Sequence, residues 1–191
     1  MREEDSYVDI GNRFLRAIQG LHPEWEVAYS ENKFLPQMIS EIEGTLNGKT
    51  DYHDSYIPNL KLDILMGVKK DSSPHISLVL LEVKVNVLTL NHQAHLLGYL
   101  MAAPLIKCGI LFCVLPPTRS AQNAYMSSDF QELLNLMALP MGFTTTTKTM
   151  QSSFRLGISY YQYQSMIKWR DSQDRDAICS FAQLVDYIES I

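Results

Sequence analysis

The sequence predicts an α/β domain, with a mixed central sheet flanked by helices. Three observations carry that expectation. Residues 5–21 and 91–103 space their apolar side chains as helices do. Between them lie three strand-like runs separated by polar, turn-forming segments. After the second helical segment, "CGILFCVLP" reads as a buried strand. The order helix, strand, strand, strand, helix, strand is that of a sheet covered by helices. The 191 residues read as one domain, with a core over about 5–115 and a C-terminal α+β extension over about 116–191.

Taken in order, Asp5 to Leu21 is the first helix, with Val8, Phe14, Leu15 and Ile18 as its apolar stripe. Trp25 to Tyr29 alternates apolar and polar residues and reads as a strand. The segment "LNGKTDYHDSYIPN" is rich in turn formers and reads as a loop. Leu60 to Val68 is the second strand and Ile76 to Val85 the third, joined by the hairpin turn "KKDSSPH". Asn91 to Ala103 is a helix that Pro104 stops. Cys108 to Pro116 is the next strand. The extension adds a helix over Ala121 to Leu139, strands near Thr144 to Met150 and Phe154 to Tyr163, and a terminal helix over Ile178 to Glu189.

With 46% hydrophobic and 19% charged residues, the chain can bury a sizeable core and is not of the disordered class. No apolar run approaches a membrane span, and the first twenty residues are too charged for a secretory leader. The expectation is an intracellular protein, cytoplasmic or, in a eukaryote, nuclear, with no membrane partner. Cys108, Cys113 and Cys179 have no metal-ligand spacing, and the first two read as small buried thiols. A formal net charge of −5 excludes holding nucleic acid by bulk charge alone. It leaves room for a local basic cleft, or for an acidic site offset by metal. Lys148, Arg155, Lys168, Arg170 and Arg175 suit a phosphate track or scattered surface charge equally. The tyrosines of "ISYYQYQ" suit base stacking, a core or a dimer interface.

The most informative stretch is "LVLLEVKV", Leu78 to Val85, where a glutamate and a lysine interrupt a buried run. A hairpin centred between Ser72 and Ser73 sets Asp63 opposite Glu82, Lys61 opposite Lys84, Leu65 opposite Leu80 and Gly67 opposite Leu78. All share one face. Leu62, Ile64, Met66, Val79, Leu81 and Val83 form the other, apolar face. Directly opposed like charges are destabilising. A divalent cation between Asp63 and Glu82 would remove that conflict, since magnesium takes one or two carboxylates and completes its shell with water and phosphate. Such an ion acidifies water and neutralises charge developing on phosphorus. A lysine two residues along adds positive charge to a transition state. The plain alternative is a same-face ion pair at a strand end, worth little.

On the following helix, Gln93 shares a face with Leu96, Leu97 and Leu100, where an amide can position water or phosphate, or merely cap or bridge helices. His92 and His95 lie to the side, in line with Tyr99. They read as a solvated face or, less simply, as an i, i+3 metal pair.

Together, Asp63 in "LKLDIL", Glu82 and Lys84 in "LLEVKV" and Gln93 in "NHQAHLLGYL" resemble the PD-(D/E)XK nuclease superfamily, whose restriction-endonuclease-like fold has an αβββαβ core. The resemblance covers a little over half the chain. It implies that Asp63 and Glu82, joined by the carbonyl of Val83, hold Mg2+ or Mn2+. It implies that Lys84 assists phosphodiester hydrolysis and that Gln93 belongs to the site. An acid on the first helix, Glu4 or Asp9, would complete the set. Leu62 stands where many members have proline, and Tyr99 is six residues beyond Gln93 where the RecB-like branch has four. The implied activity is that of a metal-dependent endonuclease acting on DNA in preference to RNA, plausibly as a homodimer. The rival is a non-cutting nuclease-fold subunit that binds nucleic acid or a protein partner.

Overall fold

The computed structural model describes residues 3–50, 57–70, 73–84, 90–113, 141–146, 163–169 and 177–178. The chain enters through a short 3-10 turn, Glu3–Ser6, that feeds directly into α1 (Tyr7–Leu21). The buried row of α1 is Tyr7, Ile10, Phe14 and Ile18. Val8, expected on the stripe, is 52% exposed. It sits one helical step from Tyr7, which turns it away from the row that faces the sheet. Gly11 continues that row where the Tyr29 ring crosses it. A Cβ there would meet the ring at 2.5 Å, so only glycine lets helix and strand approach this closely.

Strand β1 (Glu26–Phe34) overruns the expected Tyr29 boundary and passes straight into α2 (Leu35–Leu46). This helix was not among the expected elements. It starts with Pro36 in its first turn, where no amide is needed, and ends on Asn47 in the left-handed conformation. Its buried residues Leu35, Met38, Ile39, Ile42 and Leu46 have helical spacing. The two-residue β2 (Lys49–Thr50) lies in the segment expected as loop. Then follow β3 (Lys61–Lys69), β4 (His75–Lys84), α3 (Leu90–Ala102) and β5 (Ile106–Cys113), each within two or three residues of expectation. Beyond them come β6 (Met141–Thr146), β7 (Tyr163–Trp169) and β8 (Ala177–Ile178). The helix expected over 121–139 lies outside the described residues. So do most of the strand expected over 154–163 and all but the first residue of the terminal helix; that residue, Ile178, closes β8.

The sheet order is β1-β3-β4-β5-β6-β7-β8, with β2 beside the start of β4. β1 with β3 and β3 with β4 are antiparallel, whereas β4 with β5 and β5 with β6 are parallel. The sheet is therefore mixed, as expected. The β3–β4 hairpin pairs Leu65 with Leu80 and Gly67 with Leu78, the register its charges require. On one face Leu65, Leu78 and Leu80 join the buried residues of α2 together with Leu96 and Leu100 of α3. On the other, Ile64, Met66, Val79, Leu81 and Val83 are wholly enclosed. Burial on both faces is why β4 reads as an almost unbroken apolar run rather than an alternating one.

Two glycines test this packing. A Cβ on Gly67 would run into Ile42 and press on Ile76, while one on Gly98 of α3 would meet nothing within 4 Å. In urea unfolding, Gly67→Ala is expected to lose about 1–3 kcal/mol through overpacking. Gly98→Ala is expected to gain about 0.5–1 kcal/mol from helix propensity.

Candidate functional site

At the far end of the hairpin, β4 carries two charges into the buried layer. Glu82 is 2% exposed, and Lys84 is almost as enclosed. An isolated charge there would be prohibitive, and each needs a partner. The main partner is the other: Lys84 Nζ lies 2.9 Å from Glu82 Oε1, on the same side of the strand two residues away.

The ammonium is shared more widely. Lys84 Nζ donates to the Val83 carbonyl at 2.8 Å and stands 3.5 Å from Asp63 Oδ2 and 3.4 Å from Glu3 Oε2. Asp63 is fixed from two sides. The Val83 amide donates to Oδ2 at 2.8 Å, and the Tyr7 hydroxyl donates to Oδ1 at 2.7 Å. The hydrogen-bonded ladder ends at Ile64 and Leu81, one step short of the expected Asp63–Glu82 pair; the ammonium lies beside both acids, and the amide and phenol hold Asp63. Lys61, expected to face Lys84, is exposed and leaves the cluster.

Glu82 has one unanswered atom. Its Oε2 is buried with no hydrogen-bond partner, the one such side-chain atom among the described residues. Burial and the charge of Asp63 raise the Glu82 carboxyl to about 7, although Lys84 pulls the other way. Burial works against the charge of Lys84, but Glu82 and Asp63 outweigh it and lift its pKa above the usual lysine value. The asymmetry is physical: three carboxylates share one ammonium, so the lysine gains more than any single acid does. Burial, then the bond to Asp63, raises Tyr7 far above a normal phenol, which keeps it a neutral donor.

Of the acids at the start of the chain, neither Glu4 nor Asp9, the two candidates from the sequence, is seen at Lys84. Glu4 is exposed, and Asp9 pairs with Arg13 one turn along at 3.1 Å. Glu3 is the acid that reaches Lys84, because the 3-10 turn brings its carboxylate to 3.4 Å from Nζ. Tyr7 was also missed, since its hydroxyl is a local detail of a residue that otherwise belongs to the apolar stripe. On α3, Gln93 lies in the first turn, but its side chain is outside the described residues. The face read as solvated or as an i, i+3 metal pair approaches Glu82 through one of its two histidines. His95 Nδ1 is 3.5 Å from Glu82 Oε1, and its ring packs on Tyr99 at 4.3 Å between centroids while remaining 55% exposed. Burial, then the charge of Lys84, lowers His92.

The donor set fits a hard cation. Two carboxylates and a backbone carbonyl already converge on a positive charge, and Glu82 Oε2 has acceptor capacity to spare. Among the described residues no group of three or more His, Cys, Asp or Glu side chains forms a closed cage. A cation held by Asp63, Glu82 and the Val83 carbonyl would draw the rest of its shell from water and phosphate. No helix among the described residues is long and apolar enough to cross a membrane. Compared with protein-family models, curated proteins and solved structures, the chain has no significant match.

The raised Glu82 carboxyl predicts a pH dependence for the protein in EDTA. Between about pH 4.5 and 7 the folded state holds a proton that the unfolded state releases, so stability falls as pH rises through that window. Glu82→Gln is expected to lose this slope while other slopes remain. Urea midpoints for both proteins at pH 5, 6 and 7 measure it, and parallel curves would contradict the assignment.

Proposed function

We propose that this chain is a metal-dependent nuclease of the PD-(D/E)XK type that hydrolyses phosphodiester bonds, in DNA before RNA. The observation that carries the reading is Glu82 buried beside Asp63, with an unpaired carboxylate oxygen and a lysine on the same strand. A pair of acids this costly to bury is retained at sites where the charge is used. The order α1, β1, β3, β4, α3, β5 supports a restriction-endonuclease-like core, with α2 inserted between its first two strands.

In this reading Asp63, Glu82 and the Val83 carbonyl hold Mg2+ or Mn2+. When bound, the ion supplies a more acidic water and neutralises charge on phosphorus. Lys84, whose pKa lies above the normal lysine value, acts as a permanent ammonium rather than as a base. It orients the attacking water and stabilises negative charge on the phosphoryl oxygens. The water oxygen forms the new bond to phosphorus and gives up its proton to surrounding water, the ester P–O bond breaks, and the departing sugar oxygen takes a proton from solvent, so that protons balance. Tyr7 and the Val83 amide keep the Asp63 carboxylate in one orientation throughout. Gln93, in the first turn of α3, would be the residue the resemblance assigns to water or phosphate. A homodimer would give each strand of a duplex its own site.

The test is cleavage of labelled duplex DNA, single-stranded DNA and RNA with Mn2+ or with EDTA. Wild type is expected to cut DNA only with Mn2+. Lys84→Ala is expected to be slower by about a hundredfold or more, the usual cost of removing a group that stabilises developing charge. Equal rates for the two proteins would reject the site. Binding of nucleic acid with no cleavage would favour the non-cutting subunit instead.

A further inference from the structure

The acceptors that would hold the metal are the same ones that hold Lys84. Nζ is surrounded by the Val83 carbonyl at 2.8 Å, Glu82 Oε1 at 2.9 Å, Asp63 Oδ2 at 3.5 Å and Glu3 Oε2 at 3.4 Å. The first three come from the residues assigned to the metal. A divalent ion and an ammonium cannot both occupy the centre of this cluster, because cations that close repel strongly in a poorly screened site.

We propose that Lys84 is the resident cation of the metal-free protein and that a divalent metal enters by displacing it. The inference rests on the nuclease reading above and adds a regulation to it. Without metal, Lys84 is tied to acids and carbonyl and is not available to a substrate. With metal, those acceptors are taken and the ammonium is set free. Metal loading and arming of the lysine are therefore one event. Glu3 is the fourth acceptor of the ammonium and is not needed for the metal. Its carboxylate gives the displaced lysine a partner on the first turn of the chain.

The proposal makes an expectation opposite to the one for cleavage. Removing the lysine charge should impair catalysis yet tighten the metal. Mn2+ is titrated by calorimetry into the full chain as wild type, Lys84→Met and Glu82→Gln. Lys84→Met is expected to bind on the order of tenfold more tightly, a typical size for coupling between two occupants of one protein. Glu82→Gln is expected to lose binding. A second measurement needs no variant that has to fold: acylation of wild-type lysines by a small anhydride, read by mass spectrometry. Lys84 is expected to become more reactive when Mn2+ is added, while exposed Lys61 stays constant. Manganese binding to wild type with no tightening in Lys84→Met, or with Lys84 no more reactive, would overturn the displacement and leave the nuclease reading standing. No manganese binding to any of the proteins would overturn both.

Discussion

Glu82 and Lys84 can lie in the enclosed layer of the sheet because each partly neutralises the other, and the local structure is arranged around that need. The ion pair spans two positions on one strand, so the backbone of β4 fixes its geometry without any loop having to be ordered. It does not finish the neutralisation. Asp63 on β3 adds a third charge nearby, and a fourth comes from Glu3. The excess of acid over base leaves Glu82 hard to ionise and Lys84 hard to discharge. Replacing such a cluster with apolar residues is often neutral or stabilising. In a strand flanked by leucines and valines, the cluster is therefore weak evidence of stability.

Placement follows from topology. The carboxylates sit where the hairpin ladder ends, beside the first turns of α1 and α3. The antiparallel pair of β3 and β4 delivers Asp63 and Glu82 from neighbouring strands, and the 3-10 turn and α1 close over them with Glu3 and Tyr7. His95 and Tyr99 form the open side, since His95 remains largely in solvent while its ring nitrogen approaches Glu82. Among the described residues, Glu3 and Tyr7 cover the α1 side, while His95 leaves the α3 side largely in solvent.

How much of this was readable in the chain depends on the range of each interaction. The hairpin register was legible to within a shift of two: slipping one strand by a single residue would put its acid into the layer of Ile64, Met66 and Leu81. The set Asp63, Glu82 and Lys84 followed from that register alone. Helix α2 was legible and was passed over. Leu35, Met38, Ile39 and Ile42 have helical spacing, but the segment follows β1 with no connecting turn and no side-chain cap to mark a start. Glu3 was not legible. Nothing in "MREEDS" distinguishes it from Glu4, and only the sense in which the 3-10 turn curls decides which acid meets Lys84. The face of α3 that carries His95 is solvated, as read, but its nearness to Glu82 was not legible, because periodicity ranks leucines inward and does not register a buried carboxylate at the helix side.

The lengths of chain enclosed by the site's hydrogen bonds have a consequence for how the protein is built. Tyr7 is 56 residues from Asp63, and Glu3 is 81 from Lys84, whereas Asp63 and Val83 are only 20 apart. Closing a short loop costs less entropy than closing a long one. The hairpin can therefore assemble on its own, and the α1 side can join only once most of the core sequence is in place. During synthesis the first turn of the chain must wait, with its acid in water, until β4 has been made. The buried charges of β4 are thus closed over late, by a segment made well before them.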